Sequence, residues 1–214
     1  MRFPNPQDTI IFDRTQSELE CFLLFCIVVA GKKASTQVKF LESFLKLGDN
    51  TKSPFENIRE MDKNGKLVEN LQISKLGQYT RLACCFRELT RSNIDLSNCT
   101  IEELENVHGI GAKTSRFFIT CNRENARHAV LDTHILRFIN QYLKINAPSA
   151  TPSNKKEYAR LESAWLKYVD SLGVKSVDLD LAVWKMYSNR DDSEYQMLLN
   201  KSSLLSIQGV NQYA

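Results

Sequence analysis

The pattern of apolar and polar positions is helical along nearly the whole chain. Cys21 to Gly31 (CFLLFCIVVAG) is one apolar run, and Thr15-Gln16-Ser17-Glu18-Leu19-Glu20 sets two overlapping capping boxes ahead of it. A buried helix is predicted to start there. Ser35 to Leu47 carries Val38, Leu41, Phe44, Leu45 and Leu47 at helical spacing, stopped by Gly48-Asp49-Asn50. Residues 50–71 are polar with short amphipathic pieces, and Lys63-Asn64-Gly65 reads as a turn or short loop. Ile73 to Leu89 predicts a longer amphipathic helix, which Gly77 weakens without necessarily ending. Thr100 and Glu103 form a further capping box before a short helix, and a new helix starts at once after His108-Gly109-Ile110-Gly111. From Asp132 the pattern is helical again to about Leu143. Pro148 and Pro152 mark a loop, Ser153 is an N-cap candidate, and helices are expected over roughly 154–170, 177–189 and 192–206. No alternating strand pattern with hairpin turns and no fixed-period repeat is present. The fold class is all-α, with around ten helices.

Composition narrows the class. The 214 residues suffice for one large domain or two small ones. With 43% hydrophobic and 25% charged residues, eight Gly and five Pro, a disordered, collagenous or linker-rich chain is excluded. The apolar run is about half the roughly 20 residues of a bilayer span. It also begins too far in, behind acidic residues, to be a secretory signal. A soluble, non-secreted protein with no membrane partner is expected. The net charge of +3 permits a nucleic-acid partner without requiring one, because phosphate binding depends on a local basic surface. Six cysteines, at 21, 26, 84, 85, 99 and 121, include no CxxC pair. Reduced, buried thiols are expected, and the spacing offers no zinc or iron–sulfur site.

The segment from Leu104 to Phe138 carries the chemistry. Two short helices joined by Gly109-Ile110-Gly111 have a physical use. The glycines permit a tight turn and leave the first-turn N–H groups of the second helix unobstructed. With the positive end of the helix dipole, these groups suit one phosphate. Lys113 and Thr114 follow on that turn. The plain alternative is a helical hairpin whose glycines serve only close packing. Nineteen positions beyond Lys113, Val130-Leu131-Asp132-Thr133-His134-Ile135 puts an aspartate at the start of the next helix. As N-cap, Asp132 would accept bonds from the free N–H groups there, and a simple cap would need no more.

Taken together, Leu104, His108-Gly109-Ile110-Gly111-Ala112-Lys113-Thr114 and Leu131-Asp132-Thr133-His134-Ile135 resemble the helix-hairpin-helix DNA glycosylases, the superfamily of endonuclease III and the 8-oxoguanine DNA glycosylases. The motifs cover residues 104–138. His108 stands where a proline is usual. The four C-terminal cysteines that hold an iron–sulfur cluster in many relatives are missing, since the last cysteine is Cys121. Asp178 to Tyr187 (DLDLAVWKMY) is similar to the C-terminal helix of the small, cluster-free 8-oxoguanine glycosylases.

The resemblance implies a two-lobed helical fold with DNA and the active site in the cleft between the lobes. One lobe would be residues 31–128, and the other residues 1–30 plus 129–214. It implies Lys113 as the nucleophile at C1′ of the damaged nucleotide and Asp132 as the assisting carboxylate. To attack, the lysine must lose its proton, which desolvation at a helix's positive end favours. Relatives that only remove the base lack this lysine, so a bifunctional glycosylase/AP lyase is implied. His108, Gly109, Gly111, Thr114, Lys32 and Lys33 would contact DNA. Trp184 would wall the base pocket, with Trp165, Phe117 and Phe118 in the core and His134 packed or capping. The backbone carbonyls of Glu105, Val107 and Ile110 can hold a monovalent cation, and no cofactor is needed for catalysis. The partner would be double-stranded DNA with a damaged base, bound by a monomer. An oxidised purine, 8-oxoguanine, is the favoured base. Oxidised pyrimidines, mismatched bases and a non-catalytic DNA-binding hairpin are the alternatives, the last of which needs neither Lys113 nor Asp132.

Overall fold

The computed structural model describes residues 2–210, with side chains as far as Lys201. Its helices are α1 (Gln16–Val28), α2 (Ala34–Leu45), α3 (Pro54–Lys63), α4 (Leu67–Ile73), α5 (Tyr79–Arg91), α6 (Ile101–Glu105), α7 (Ala112–Asn122), α8 (Thr133–Gln141), α9 (Lys155–Leu172), α10 (Ser176–Ser188) and α11 (Ser193–Val210). The fold is all-α; among the described residues there is no strand, only an isolated bridge between Asn5 and Asp8. The chain divides between Glu124 and Asn125 into two compact units.

In the first unit α1 is the central element and packs on α7, α2 and α3. It is buried on every side from Glu18 to Val28, as a helix that is apolar all round must be. Of the two overlapping capping boxes, Thr15 and Glu18 form the one seen at its start: Thr15 Oγ1 accepts the Glu18 amide and Glu18 Oε2 the Thr15 amide (3.0 Å). Glu20 instead accepts the Phe55 amide at the start of α3 (2.9 Å). Phe22 of α1 meets Phe117 and Phe118 of α7, with ring centroids 5.6 and 6.2 Å apart, so both α7 phenylalanines belong to the packing.

The polar stretch 50–71 holds two real helices, α3 and α4. Gly65 closes α3 at φ +70°, with the Lys66 amide reaching back to the Met61 carbonyl (2.8 Å). The single helix expected over 73–89 is corrected to the end of α4 and the start of α5. Lys75, Gly77 and Gln78 all take left-handed backbone conformations (φ +60°, +69° and +49°), which no helix can continue through. The Leu76 amide bonds the Leu71 carbonyl (3.3 Å), and the Leu76 side chain is fully buried. Burial and capping hold lysine and glutamine in a conformation that glycine usually supplies.

In the second unit α10 packs on α8, α9 and α11, and α9 on α11. The fully buried Trp165 stands edge-on to Phe138 at 5.6 Å, and Tyr195 also meets Phe138 at 5.4 Å. Asn154, one residue beyond the expected Ser153, caps α9 by accepting the Lys156 and Glu157 amides.

Candidate active site

The hairpin is braced from both sides. Thr100 caps α6 in the expected box with Glu103. Glu105, at the end of α6, accepts from Arg116 Nη1 (2.8 Å) and Ser115 Oγ (3.2 Å) of α7, tying the two hairpin helices together. Both members of the Glu105–Arg116 pair are largely shielded from solvent, where such a pair is screened least. The turn between the helices rests on α5: Arg81 Nη1 donates to the Gly109 carbonyl (3.0 Å) and Glu88 Oε2 accepts the His108 amide (3.1 Å). Arg81 and Glu88 stand seven residues apart on one face of α5, a spacing that by itself names no partner, so neither was singled out from the sequence. Gly109 adopts φ +85°, where a side chain would be strained.

Gly111 is the N-cap of α7 with extended backbone and no side chain capping the helix. A Cβ built on Gly111 would meet nothing within 4 Å. Lys113 is half-buried on the first turn. Thr114 is buried. Val107 is buried and its carbonyl accepts the Ile110 amide (3.1 Å), closing the turn. Elsewhere in this unit Lys33 is exposed at the start of α2, while Lys32 Nζ donates to the Leu76 carbonyl (2.5 Å). Burial lowers the Lys32 pKa, with Arg81 nearby adding to the effect.

In the second unit Asp132 is the N-cap of α8, as its position predicted. Its Oδ1 accepts both the His134 and the Ile135 amides at 2.9 Å. Oδ2 takes no part in the cap. His134 stacks parallel to Tyr187, with ring centroids 6.0 Å apart, and its Nε2 lies 3.2 Å from Ser188 Oγ, so it is a packed histidine. Trp184 is half-buried on α10, whereas Trp165 is core. Among the described residues no group of three or more His, Cys, Asp or Glu is arranged to hold a metal ion, and no helix is long and apolar enough to cross a membrane.

A braced helical hairpin with an open, glycine-capped second helix defines a helix-hairpin-helix protein. The sequence profile of the 8-oxoguanine DNA glycosylase family matches residues 8–174, and the chain belongs to that family of DNA glycosylases. A relative, the 8-oxoguanine DNA glycosylase/AP lyase of Metallosphaera sedula, is 27% identical over 176 residues, covering 78% of this chain and 81% of that protein. No solved structure matches the chain.

Proposed function

We propose that the protein is a bifunctional DNA glycosylase/AP lyase acting on an oxidised base, 8-oxoguanine, in duplex DNA. The observation that carries this reading is Lys113, on the first turn of a helix whose N-terminus has no side-chain cap. First-turn N–H groups next to the bare Gly111 would receive a strand phosphate, and with it the turn residues His108 and Gly109 and, from α2, Lys33. Lys32 is already committed to the Leu76 carbonyl.

Lys113 Nζ, as the free amine, attacks C1′, and the glycosidic bond breaks with its electron pair leaving on the base, which takes up a proton. Opening of the sugar gives an imine between Nζ and C1′. The imine acidifies the C2′ proton, whose removal expels the 3′ phosphate by β-elimination. Hydrolysis then frees the lysine. Asp132 Oδ2, outside the cap, stabilises the positive charge on the sugar as the base departs. Trp184 supplies a wall on which the extruded base stacks. The name of the Metallosphaera relative supports both the base and the lyase step.

The reading carries its other parts with it. The enzyme works as a monomer. No iron–sulfur cluster or catalytic cofactor takes part, because the cysteines end at Cys121 and the lysine does the chemistry. A monovalent cation on the Glu105, Val107 and Ile110 carbonyls fits the turn, since the Val107 oxygen keeps a second lone pair beyond its bond to Ile110.

The test is borohydride reduction during reaction with duplexes that each carry one lesion. A trapped protein–DNA adduct, formed fastest with 8-oxoguanine, is expected. Base release without any adduct would remove the lyase step.

A further inference from the structure

The chain ahead of Asp132 runs outside regular secondary structure from His128 to Leu131, so no helix or strand ladder satisfies its polar groups. Side chains do so instead. Ser176 Oγ donates to the His128 carbonyl (2.6 Å), and the Ala129 amide donates to Glu162 Oε1 (3.0 Å). Tyr158 Oη donates to the Ala129 carbonyl (2.8 Å) and accepts the Leu131 amide (3.2 Å). Thr151 Oγ1 donates to the Leu131 carbonyl (2.7 Å). The Val130 amide donates to Asp180 Oδ2 (2.8 Å).

Asp180 differs from the other partners. It is a buried carboxyl on α10, and its second oxygen accepts the indole N–H of Trp165 (2.6 Å). Burying a carboxyl is costly, and such groups persist where every bond they make is needed. The bond it makes to Val130 leads to the site. Val130 gives its amide to Asp180 and its carbonyl to the Asp132 amide (2.6 Å), so Asp180, Val130 and Asp132 form one hydrogen-bonded chain. The N-cap bonds fix Asp132 Oδ1 to α8, Tyr158 and Thr151 hold Leu131, and Asp180 holds Val130, whose carbonyl accepts the Asp132 amide.

We propose that Asp180 is a positioning residue of the glycosylase reaction: by holding the Val130 amide it fixes where Asp132 presents Oδ2. This rests on the reading of Asp132 as the assisting carboxylate. A carboxyl can accept at its carbonyl oxygen in either protonation state, so the hold does not depend on Asp180 being charged.

The experiment combines single-turnover base excision at saturating duplex, duplex affinity, and amide exchange at Val130 by NMR. Asp180→Ala is expected to slow excision about 100-fold, the order expected when a reacting group is displaced by about an ångström. Duplex affinity should be unchanged and Val130 exchange faster. Asp180→Asn keeps one acceptor oxygen for the Val130 amide but sets its NH2 against the Trp165 indole N–H, so it recovers part of the rate. Val169→Ala, a buried truncation near the C-terminal end of α9, lowers Tm without slowing excision and separates positioning from stability. Placed on Asp132→Asn, Asp180→Ala has no further effect. Slowing by Val169→Ala to the same degree at matched Tm, or losses that multiply with Asp132→Asn, would overturn the proposal. If Asp132→Asn itself leaves excision unchanged, the role of Asp132 fails and the proposal falls with it. Unchanged Val130 exchange in Asp180→Ala, with Asp132 shown to matter, removes the clamp alone.

Discussion

Arg81 of α5 donates to the carbonyl of Gly109, 28 residues further along the chain, at 3.0 Å. This one bond sets the two glycines of the hairpin apart. Gly109 is pinned in a left-handed conformation, with a built Cβ 3.3 Å from Cys85 Cβ and 3.4 Å from Arg81 Nη1, whereas one on Gly111 faces open space. Gly109→Ala should cost about 1–2 kcal/mol of stability from its left-handed backbone alone, read as a lower urea midpoint. Gly111→Ala should hold stability within about 0.5 kcal/mol yet weaken duplex binding about tenfold, near 1.4 kcal/mol, because its methyl stands where a phosphate would approach. Unweakened binding by Gly111→Ala would remove the phosphate site from this helix start.

Lys113→Ala should yield no borohydride adduct and cut no strand at an abasic site, while duplex affinity stays within a few-fold. The variant should stay folded, since a half-buried side chain on the first turn of α7 is lost without disturbing the Glu105–Arg116 brace. Adduct formation at the wild-type rate would move the nucleophile to another residue.

The base preference rests on Trp184. Stacking of an extruded base on an aromatic ring is worth about 1–3 kcal/mol, and Trp184→Ala should reduce 8-oxoguanine excision accordingly. Wild-type protein should release 8-oxoguanine faster than thymine glycol or uracil. Equal rates on the three duplexes would discard the purine while leaving the lyase reaction in place.

Asp180 also writes a pH signature into stability. Burial pushes its carboxyl up to about 8, against the pull of the Val130 amide and the Trp165 indole, with repulsion from Asp132 and Glu162 adding to the rise. An acid whose folded pKa lies above its unfolded value keeps its proton longer in the native state. Its contribution is therefore full below about pH 4 and declines as pH rises through about 8, by at most ~1.4 kcal/mol per pH unit. Glu18, held down to about 2 chiefly by its bond from Arg2, acts only in the acid range and stays outside this window. Urea unfolding at pH 5 and pH 8 should show wild-type stability falling more than that of Asp180→Asn. An identical fall in both would place the titration elsewhere.

Much of the site was legible because its signals are local. Capping boxes act over three residues, and Thr15, Thr100 and Asp132 each cap the helix their sequence marks. Glycines between two short amphipathic segments announce a hairpin whatever surrounds them. The break between α4 and α5 was not legible, because lysine and glutamine rarely adopt left-handed backbone. There the burial of Leu76 and the bond from Lys32 to its carbonyl, made by a residue 44 positions earlier, decide the conformation.

The sequence by itself determined an all-helical chain, the caps of α1, α6 and α8, and the hairpin with Lys113 and the capping Asp132. These follow from periodicity and short-range hydrogen bonding, which the order of residues encodes directly. Tertiary structure alone decided which distant side chains complete those features. Glu20 leaves its own helix to cap α3, Arg81 and Glu88 hold the hairpin turn, and Asp180 reaches from α10 to the residue that bonds Asp132. The reason is physical: a polar side chain takes whatever donor or acceptor the packing brings to it, most stringently where it is buried as Glu20 and Asp180 are, and these partners lie 20 to 50 residues away.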